Sequence, residues 1–497
     1  MPTSGKTIAK NTVFLYFRMT LVMLVTLYTS RIVLDVLGAS DYGLYNVVGG
    51  VVSMLAFLNG SISAGTSRFI SYELGRGDKE QLRNVFNVSL VSHVALALIV
   101  FLLAETIGLW FLNTQIVFDE ERNLAVNVVY QLSILTTVLN FTQIPYTATI
   151  VAHEKMSIYA YISILEVILK LLMVFILERI HDFDALIAYS IMVFGIQCLV
   201  LMLYRFYCHN KYVESHWRVV KDKNQYKTIL SFAGWDVIGS LCVITQGQGV
   251  NILLNIFFGP VVNAARAVAY QIQSAFHQFT GNFMMAVQPE IVKTFASKEY
   301  DAMVKLVNNA ALYSYFLLLV FVMPIMFKLS FVLNLWLVDV PEDSDIFTLI
   351  ILAYMMIRAL ANPVIKGVHA TGNIRAFNLV AGGVGLLPLP ICWLGLYLGG
   401  NATFAFWVIL IFGAIANIIE ILFLKKQLPE FSVSVHIREV YVRSLFVTIL
   451  AVAACWILNT QFENTLLSTI VFYILAFLVT CIIVFYTGLT KSLKIII

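Results

Sequence analysis

TLLSTIVFYILAFLVTCIIVFYTG, Thr465 to Gly488, contains no charged side chain. A helix needs about 20 mostly apolar residues to cross the hydrocarbon core of a bilayer, and this run supplies them without interruption. Working outward, runs of the same kind recur along the whole chain. Their approximate limits are 11–37, 43–72, 84–112, 122–151, 156–178, 184–207, 229–258, 261–289, 303–334, 345–369, 375–398, 402–424, 440–459 and 465–488, about fourteen spans. The 497 residues are 60% hydrophobic and 12% charged, where a soluble protein carries about 25% charged residues. A soluble enzyme and a disordered chain are excluded. A membrane β-barrel is disfavoured, since its strands would alternate polar and apolar residues over about ten positions. The expected fold class is an all-α polytopic membrane protein.

The net charge of +4 is too mild to suggest nucleic acid as a partner. The six cysteines are scattered, with no CxxC pair, so neither a disulfide framework nor a zinc site is expected. The first apolar run is too long for a signal sequence and lacks a cleavage site.

Charge sorts the loops into two sets. One set holds Lys6, Lys10, Arg76, Lys79, Arg83, Lys155, a basic connection near 207–228, then Lys293, Lys298, Lys305, Lys366, Arg375, Lys425, Lys426, Arg438 and the terminal Lys491 and Lys494. The other set is acidic: Asp119-Glu120-Glu121, then Glu178, Asp182 and Asp184, then Asp339, Glu342, Asp343 and Asp345. The positive-inside rule places both termini in the cytoplasm and makes the span number even. No loop is long enough for a soluble domain.

The two halves overlay at an offset of 221: Lys6-Thr7-Ile8 falls on Lys227-Thr228-Ile229, Gly38 on Gly259, Ser53 on Ser274 and Gly60 on Gly281. Pro145 and Pro363 match at 218. Six spans per repeat gives two parallel six-helix bundles, related by an axis along the membrane normal. The expected divisions are 1–215, 216–429 and a pair of added helices over 430–497.

A charge at mid-bilayer costs about 2.5–3.5 kcal/mol on insertion scales, so embedded charges need reasons. In the eighth span Arg266, Tyr270, Gln273, His277, Thr280, Met284 and Gln288 recur on one face. The stripe reads as the lining of a central, water-accessible cavity or as a seam between helices, and its fullness favours the cavity. In the seventh span Asp236, Ser240, Gly247, Gln248, Asn251 and Asn255 share a broad face that suits either packing or function. Arg358 lies deep in the tenth span, and Arg18 and Arg31 lie in the first. Arg31 has Asp35 four residues on, the spacing of a surface ion pair. Glu166 and Lys170 read as an internal neutralising pair. Arg68, Lys328 and Glu420 lie near span ends and are expected to reach outward. The central charges are mostly cationic, and arginine is the usual planar donor to phosphate, so an anionic, phosphate-bearing substrate is expected.

Ser4-Gly5-Lys6-Thr7 lacks the upstream glycine of a P-loop. Asp343-Ser344-Asp345 is a DxD in an acidic loop, for which solvation is the default reading.

The text Ser30-Arg31-Ile32-Val33-Leu34-Asp35-Val36-Leu37-Gly38, then Asp41-Tyr42-Gly43-Leu44-Tyr45, resembles Wzx-type polysaccharide flippases. So does Gly247-Gln248-Gly249-Val250-Asn251 through Phe258-Gly259-Pro260 to Asn263-Ala264-Ala265-Arg266. These flippases belong to the multidrug/oligosaccharidyl-lipid/polysaccharide exporter superfamily, and the resemblance covers nearly the whole chain. It implies a non-enzymatic transporter of the bacterial inner membrane, without cofactor or metal. That transporter moves undecaprenyl-pyrophosphate-linked oligosaccharide by alternating access, with a proton or sodium gradient as the coupling source and a glycan polymerase as a partner. Related lipid II flippases use arginines on the first, second and eighth helices, which here carry Arg18 or Arg31, Arg68 and Arg266. The expected substrate residues are Arg18, Arg31, Arg266, Arg358, Asn251, Tyr270, Gln273 and His277. The expected coupling residues are Asp236 and His277. The alternatives are a drug or cation exporter of the same superfamily, which would prefer an acidic cavity, and a membrane glycan polymerase or glycosyltransferase, which would need a large outer loop.

Overall fold

The computed structural model describes residues 5–54, 57–115, 120–179, 183–337, 340–463 and 465–488. Among these residues every regular element is helical. Among the described residues eleven helices are long and apolar enough to cross a membrane, where fourteen spans are expected. The spans expected at 11–37, 43–72 and 261–289 are helical but are not among the eleven. The first two run over residues whose side chains lie outside those described, and the third carries Arg266, Gln271 and His277, whose polarity lowers its hydropathy. Asp119, Asp182, Asp339, Lys491 and Lys494 lie outside the described residues.

Two compact units divide the chain, one over Thr7–Val237 and one over Ile238–Ile497. The first holds α1 (Gly5–Met54), α2 (Phe57–Arg76), α3 (Lys79–Leu103), α4 (Leu109–Gln115), α5 (Asn123–Ala152), α6 (Met156–Leu177) and α7 (Ala185–Lys211). Helix α8 (Lys223–Phe258) begins with this unit and ends with the second. In the first unit α5 is central: α2, α3 and α7 pack on it, α2 packs on α3, and α6 packs on α7.

The second unit holds α9 (Pro260–Ala296), α10 (Tyr300–Phe327), α11 (Leu329–Trp336), α12 (Ser344–Thr371), α13 (Arg375–Leu386), α14 (Pro388–Tyr397) and α15 (Ala402–Gln427). It continues through α16 (Val433–His436) and α17 (Arg443–Asn459) to α18 (Leu466–Ile483). Here α12 is central: α9, α10 and α15 pack on it, α9 packs on α10, and α13 and α14 pack on α15. The neighbour pattern of the first unit thus recurs, with Pro145 inside α5 and Pro363 inside α12. Helices α17 and α18 pack on each other and on α10.

The repeat is also visible in the backbone. A straight helix the length of α1 would run about 75 Å at 1.5 Å per residue, more than twice the hydrocarbon core of a bilayer. Gly38 breaks it with φ 71° and ψ 167°. Gly259, 221 residues on, has φ 79° and ψ −173°. That backbone region is essentially restricted to glycine. At Gly259 the chain turns back on itself. Asn263 Nδ2 donates to Asn251 Oδ1 at 2.7 Å, and Arg266 donates to the Gly247 carbonyl at 2.8 Å. Gly259→Ala is expected to cost about 1–3 kcal/mol of stability, read as a lower midpoint in detergent unfolding, whereas Gly281→Ala, in open space within a helix, should be close to neutral.

Inside each unit a cluster of branched and aromatic side chains joins the helices. Val33, Leu37, Val126, Tyr130, Val174 and Leu186 join α1, α5, α6 and α7. Val250, Leu254, Phe347, Ile351, Cys392 and Phe406 do the same for α8, α12, α14 and α15. In lipid such packing holds by close contact more than by transfer from water. Many large apolar side chains remain outward, among them Leu98 and Leu102 on α3 and Trp407 and Ile411 on α15.

Polar clamps secure both ends of the first unit. Arg122, at the start of α5, pairs with both Asp41 and Asp184. Asp184 also caps α7, accepting from the Leu186 and Ile187 amides at 3.0 Å. At the opposite, basic end the connection after α7 is strapped down. The His216 carbonyl accepts from Arg83 and Asn87, the Arg218 amide donates to Asn87 at 2.9 Å, and Glu214 meets His153 at 2.6 Å. The His153 ring lies stacked on Tyr212. Burial pushes the Glu214 carboxyl up, but the hydrogen bond to His153 and a backbone amide outweigh it and hold the group below the usual carboxylate range. A depressed carboxylate contributes stability that is complete above the unfolded value, about 4.3, and is lost as the pH falls through the folded one. The midpoint advantage of wild type over Glu214→Gln is therefore expected to be constant at neutral pH and to vanish on acidification below that range.

Candidate functional site

A cavity of about 460 Å³ lies within the first unit, between α1, α6 and α7. Two helical faces make most of its wall. From α1 come Arg18, Val22, Thr26, Thr29 and Val33, at spacings of four or three residues. From α6 come Tyr159, Ser163, Glu166, Lys170 and Met173 at alternating spacings of four and three. Such spacings keep side chains on one side of a helix. Tyr45 and Tyr189 stand at the end nearer the Arg122 clamp, edge to face with ring centroids 4.8 Å apart.

The polar groups of the cavity are ordered. The Arg18 guanidinium lies over the Tyr159 ring, 4.8 Å from its centroid, within cation–π range. Lys170 donates to Glu166 Oε1 at 2.6 Å. The Thr29 hydroxyl is buried and has no hydrogen-bond partner among the described residues. Two cations stand against one carboxylate, with hydroxyls between them. Such a wall suits an anion with several oxygens. The volume lies in the ordinary range for small-ligand sites, about 300–1,000 Å³.

Sequence reasoning placed Arg18 on a cavity and took Glu166 and Lys170 for a self-contained pair. It did not join them. The signal that could have done so is the α6 face itself, since Tyr159 and Ser163 share the spacing of Glu166 and Lys170.

The other expected residues lie elsewhere. Arg31 is in α1, but its side chain lies outside those described. Asp236 is half-buried in the part of α8 that belongs to the first unit, and His277 is exposed on α9 in the second. Arg266 is only 8% exposed, stacked on Tyr270 at 3.9 Å and bonded to the Gly247 carbonyl, and Asn251 is engaged by Asn263. Gln273 is half-buried, and Thr280 and Met284 are buried. The exposed residues described on α9 are Ala267, Gln271, Ser274, Ala275, His277, Gln278 and Gly281, of which only His277 belongs to the expected stripe. Of that stripe Arg266, Thr280 and Met284 are buried, and Tyr270, Gln273 and Gln288 are half-buried.

Arg358 also finds a protein partner, donating to Glu420 at 3.0 and 3.2 Å. A substrate contact by Arg358 would require that pair to open. Three side chains expected to reach outward are instead buried. Glu420 pairs with Arg358. Arg68 is enclosed by Phe69, Tyr72 and Phe232. Lys328 donates to the Phe462 carbonyl at 3.1 Å. Glu420 finds a guanidinium, Arg68 aromatic faces and Lys328 a carbonyl inside the protein, which removes the reason to seek the interface. Among the described residues no three His, Cys, Asp or Glu side chains gather as metal ligands. Asp343 and Asp345 sit at the start of α12, where Asp345 accepts from the Ile346 amide.

Residues 15–176, which include the α1 and α6 walls of the cavity, match the MatE family model. None of the curated proteins matches the sequence. Solved structures do. An outward-facing multidrug-resistance MATE transporter of the MOP superfamily superposes with a TM-score of 0.72 at 14% identity, over 87% of this chain and 99% of that one. The fold is that of the MATE transporters. A MOP-superfamily transporter from Pyrococcus furiosus, described as having a binding pocket of reversed polarity that suggests a different function, gives a TM-score of 0.69 at 13% identity, over 87% and 99%. A Vibrio cholerae MATE transporter variant gives 0.65 at 18%, over 85% and 97%.

Proposed function

We propose that the protein is a flippase for an anionic lipid-linked oligosaccharide, a polyprenyl (undecaprenyl) pyrophosphate carrying a glycan repeat. The supporting observation is the cationic wall of the first unit's cavity, where Arg18 and Lys170 face a single carboxylate, Glu166. A pyrophosphate supplies the charge and the oxygens that such a wall accepts. The polyprenyl chain stays in the bilayer. The headgroup crosses by alternating access, from the cytoplasmic to the periplasmic face of the inner membrane. The alternation of basic and acidic loops supports cytoplasmic termini. The recurrence of one neighbour pattern in both units supports two six-helix bundles, followed by two further helices. Asp236 and His277 are the proposed coupling residues for a proton or sodium gradient. Arg266 and Arg358 are read as tying helices together.

A second reading, export of drugs or organic cations, is favoured by likeness to a structure described as a multidrug-resistance transporter. A cationic wall opposes it, because like charge repels the cargo. Reconstitution separates the two. Protein in liposomes is given either an undecaprenyl-pyrophosphate oligosaccharide, with headgroup exposure read by an impermeant probe, or a cationic dye. Gradient-dependent headgroup exposure without dye movement supports the flippase. Dye efflux without headgroup exposure overturns it in favour of the exporter.

A further inference from the structure

We propose that Glu166 is a built-in competitor for the anion site, holding Lys170 until a phosphate anion displaces it; this rests on the reading of the cavity as an anion site. Lys170 and Glu166 form a pair within one helix, at the favourable i, i+4 spacing with the acid first. On sequence alone that pair neutralises itself and does nothing further. Its position argues otherwise. Both side chains line the same cavity as Arg18. Neither is sealed, since Lys170 keeps 40% and Glu166 26% of its side-chain surface. Single pairs at this spacing within one helix contribute little, so the contact opens at low cost.

Lysine has three protons to donate, and one is given to Glu166 Oε1. The other two are available to a ligand on the same wall. On the same cavity Arg18 is held by Tyr159, its planar fork suited to phosphate oxygens. The Thr29 hydroxyl, without a hydrogen-bond partner among the described residues, is one more donor on the cavity wall.

The carboxylate then works as a threshold. A monoanion offers Lys170 little more than Glu166 already does. A phosphate group with two negative charges and several oxygens can take the lysine from Glu166, with Arg18 further along the same wall. Lys170 becomes a binding residue and Glu166 a specificity-determining one, and the ligand class is a dianionic phosphate, above all a pyrophosphate. Displacement also sets a repelled carboxylate beside the bound anion, which favours later release.

The test is binding by the full-length protein in nanodiscs, followed by calorimetry. Inorganic pyrophosphate is the probe in one arm and undecaprenyl pyrophosphate in the other, with chloride and acetate as monoanions. Wild type should bind pyrophosphate. Glu166→Gln should bind it at least tenfold tighter and should gain measurable affinity for acetate. Lys170→Gln should bind at least tenfold weaker, and in the double variant the gain from Glu166→Gln should disappear. Agreement in both arms supports the proposal, and the tighter arm identifies a lipid headgroup or a free anion as the source. An unchanged affinity in Glu166→Gln, or a gain that persists without Lys170, overturns the competitor role while leaving the anion site standing. Absence of pyrophosphate binding in wild type overturns the anion site itself. Should Glu166→Gln fail to fold, Glu166→Asp shortens the reach to Lys170 and must raise affinity in the same direction.

Discussion

Arg358→Ala is expected to destabilise the protein by about 3–5 kcal/mol, the usual result of stripping the partner from a buried charge. The carboxylate of Glu420 keeps only 4% of its side-chain surface, and its two oxygens accept from one guanidinium. Removing Arg358 leaves that carboxylate in a low-dielectric interior with its partner gone. The reverse change should cost less, because the Arg358 side chain is less enclosed than Glu420, with 23% exposure. Replacing both together, Arg358→Met with Glu420→Leu, should recover most of the loss, since a buried pair seldom exceeds a well-packed apolar pair in stability. Unfolding midpoints of the two single variants and the double variant check the ordering. A double variant as unstable as Arg358→Ala would show that the pair is tied into a wider polar network.

Arg18→Ala is expected to have the largest effect on binding. A hydrogen bond to a charged group contributes about 1.5–3 kcal/mol, which at about 1.4 kcal/mol per tenfold predicts a 10- to 150-fold loss of pyrophosphate affinity. Arg18→Lys should recover only part of the affinity, since an ammonium keeps the charge but neither stacks as a plane nor binds oxygens as a fork. Titration of the three proteins with pyrophosphate checks it. Equal affinities would remove Arg18 from the site.

The all-helical membrane fold was legible because uncharged runs near the length of a bilayer have one economical structure. The repeat was legible at Gly38 and Gly259, where the backbone demands glycine and the same demand arises twice. The candidate site was harder to read. A helical stripe shows which residues share a face, but not which way the face turns. The eighth-span stripe contains Arg266, yet the structure rotates that residue into contact with Gly247 and Tyr270. Its neighbours Gln271 and Gln278 take the surface. Glu166 and Lys170 satisfy one another locally, so sequence gives no reason to look for Arg18, about 150 residues away in the chain, on the same wall. Burial of Arg68 was hidden for a related reason, because its aromatic enclosure includes Phe232 from a distant helix.

A chain that turns at Gly259 delivers α8 and α9 to the bilayer as one hairpin. Arg266 reaches back nineteen residues to Gly247, and Asn263 reaches back twelve to Asn251, so these polar groups find partners inside the hairpin before any later helix has been made. During synthesis such a hairpin can leave the insertion machinery with its most costly side chain already met. Segments that would fail to partition singly then enter the membrane as a pair, in the order in which the ribosome makes them.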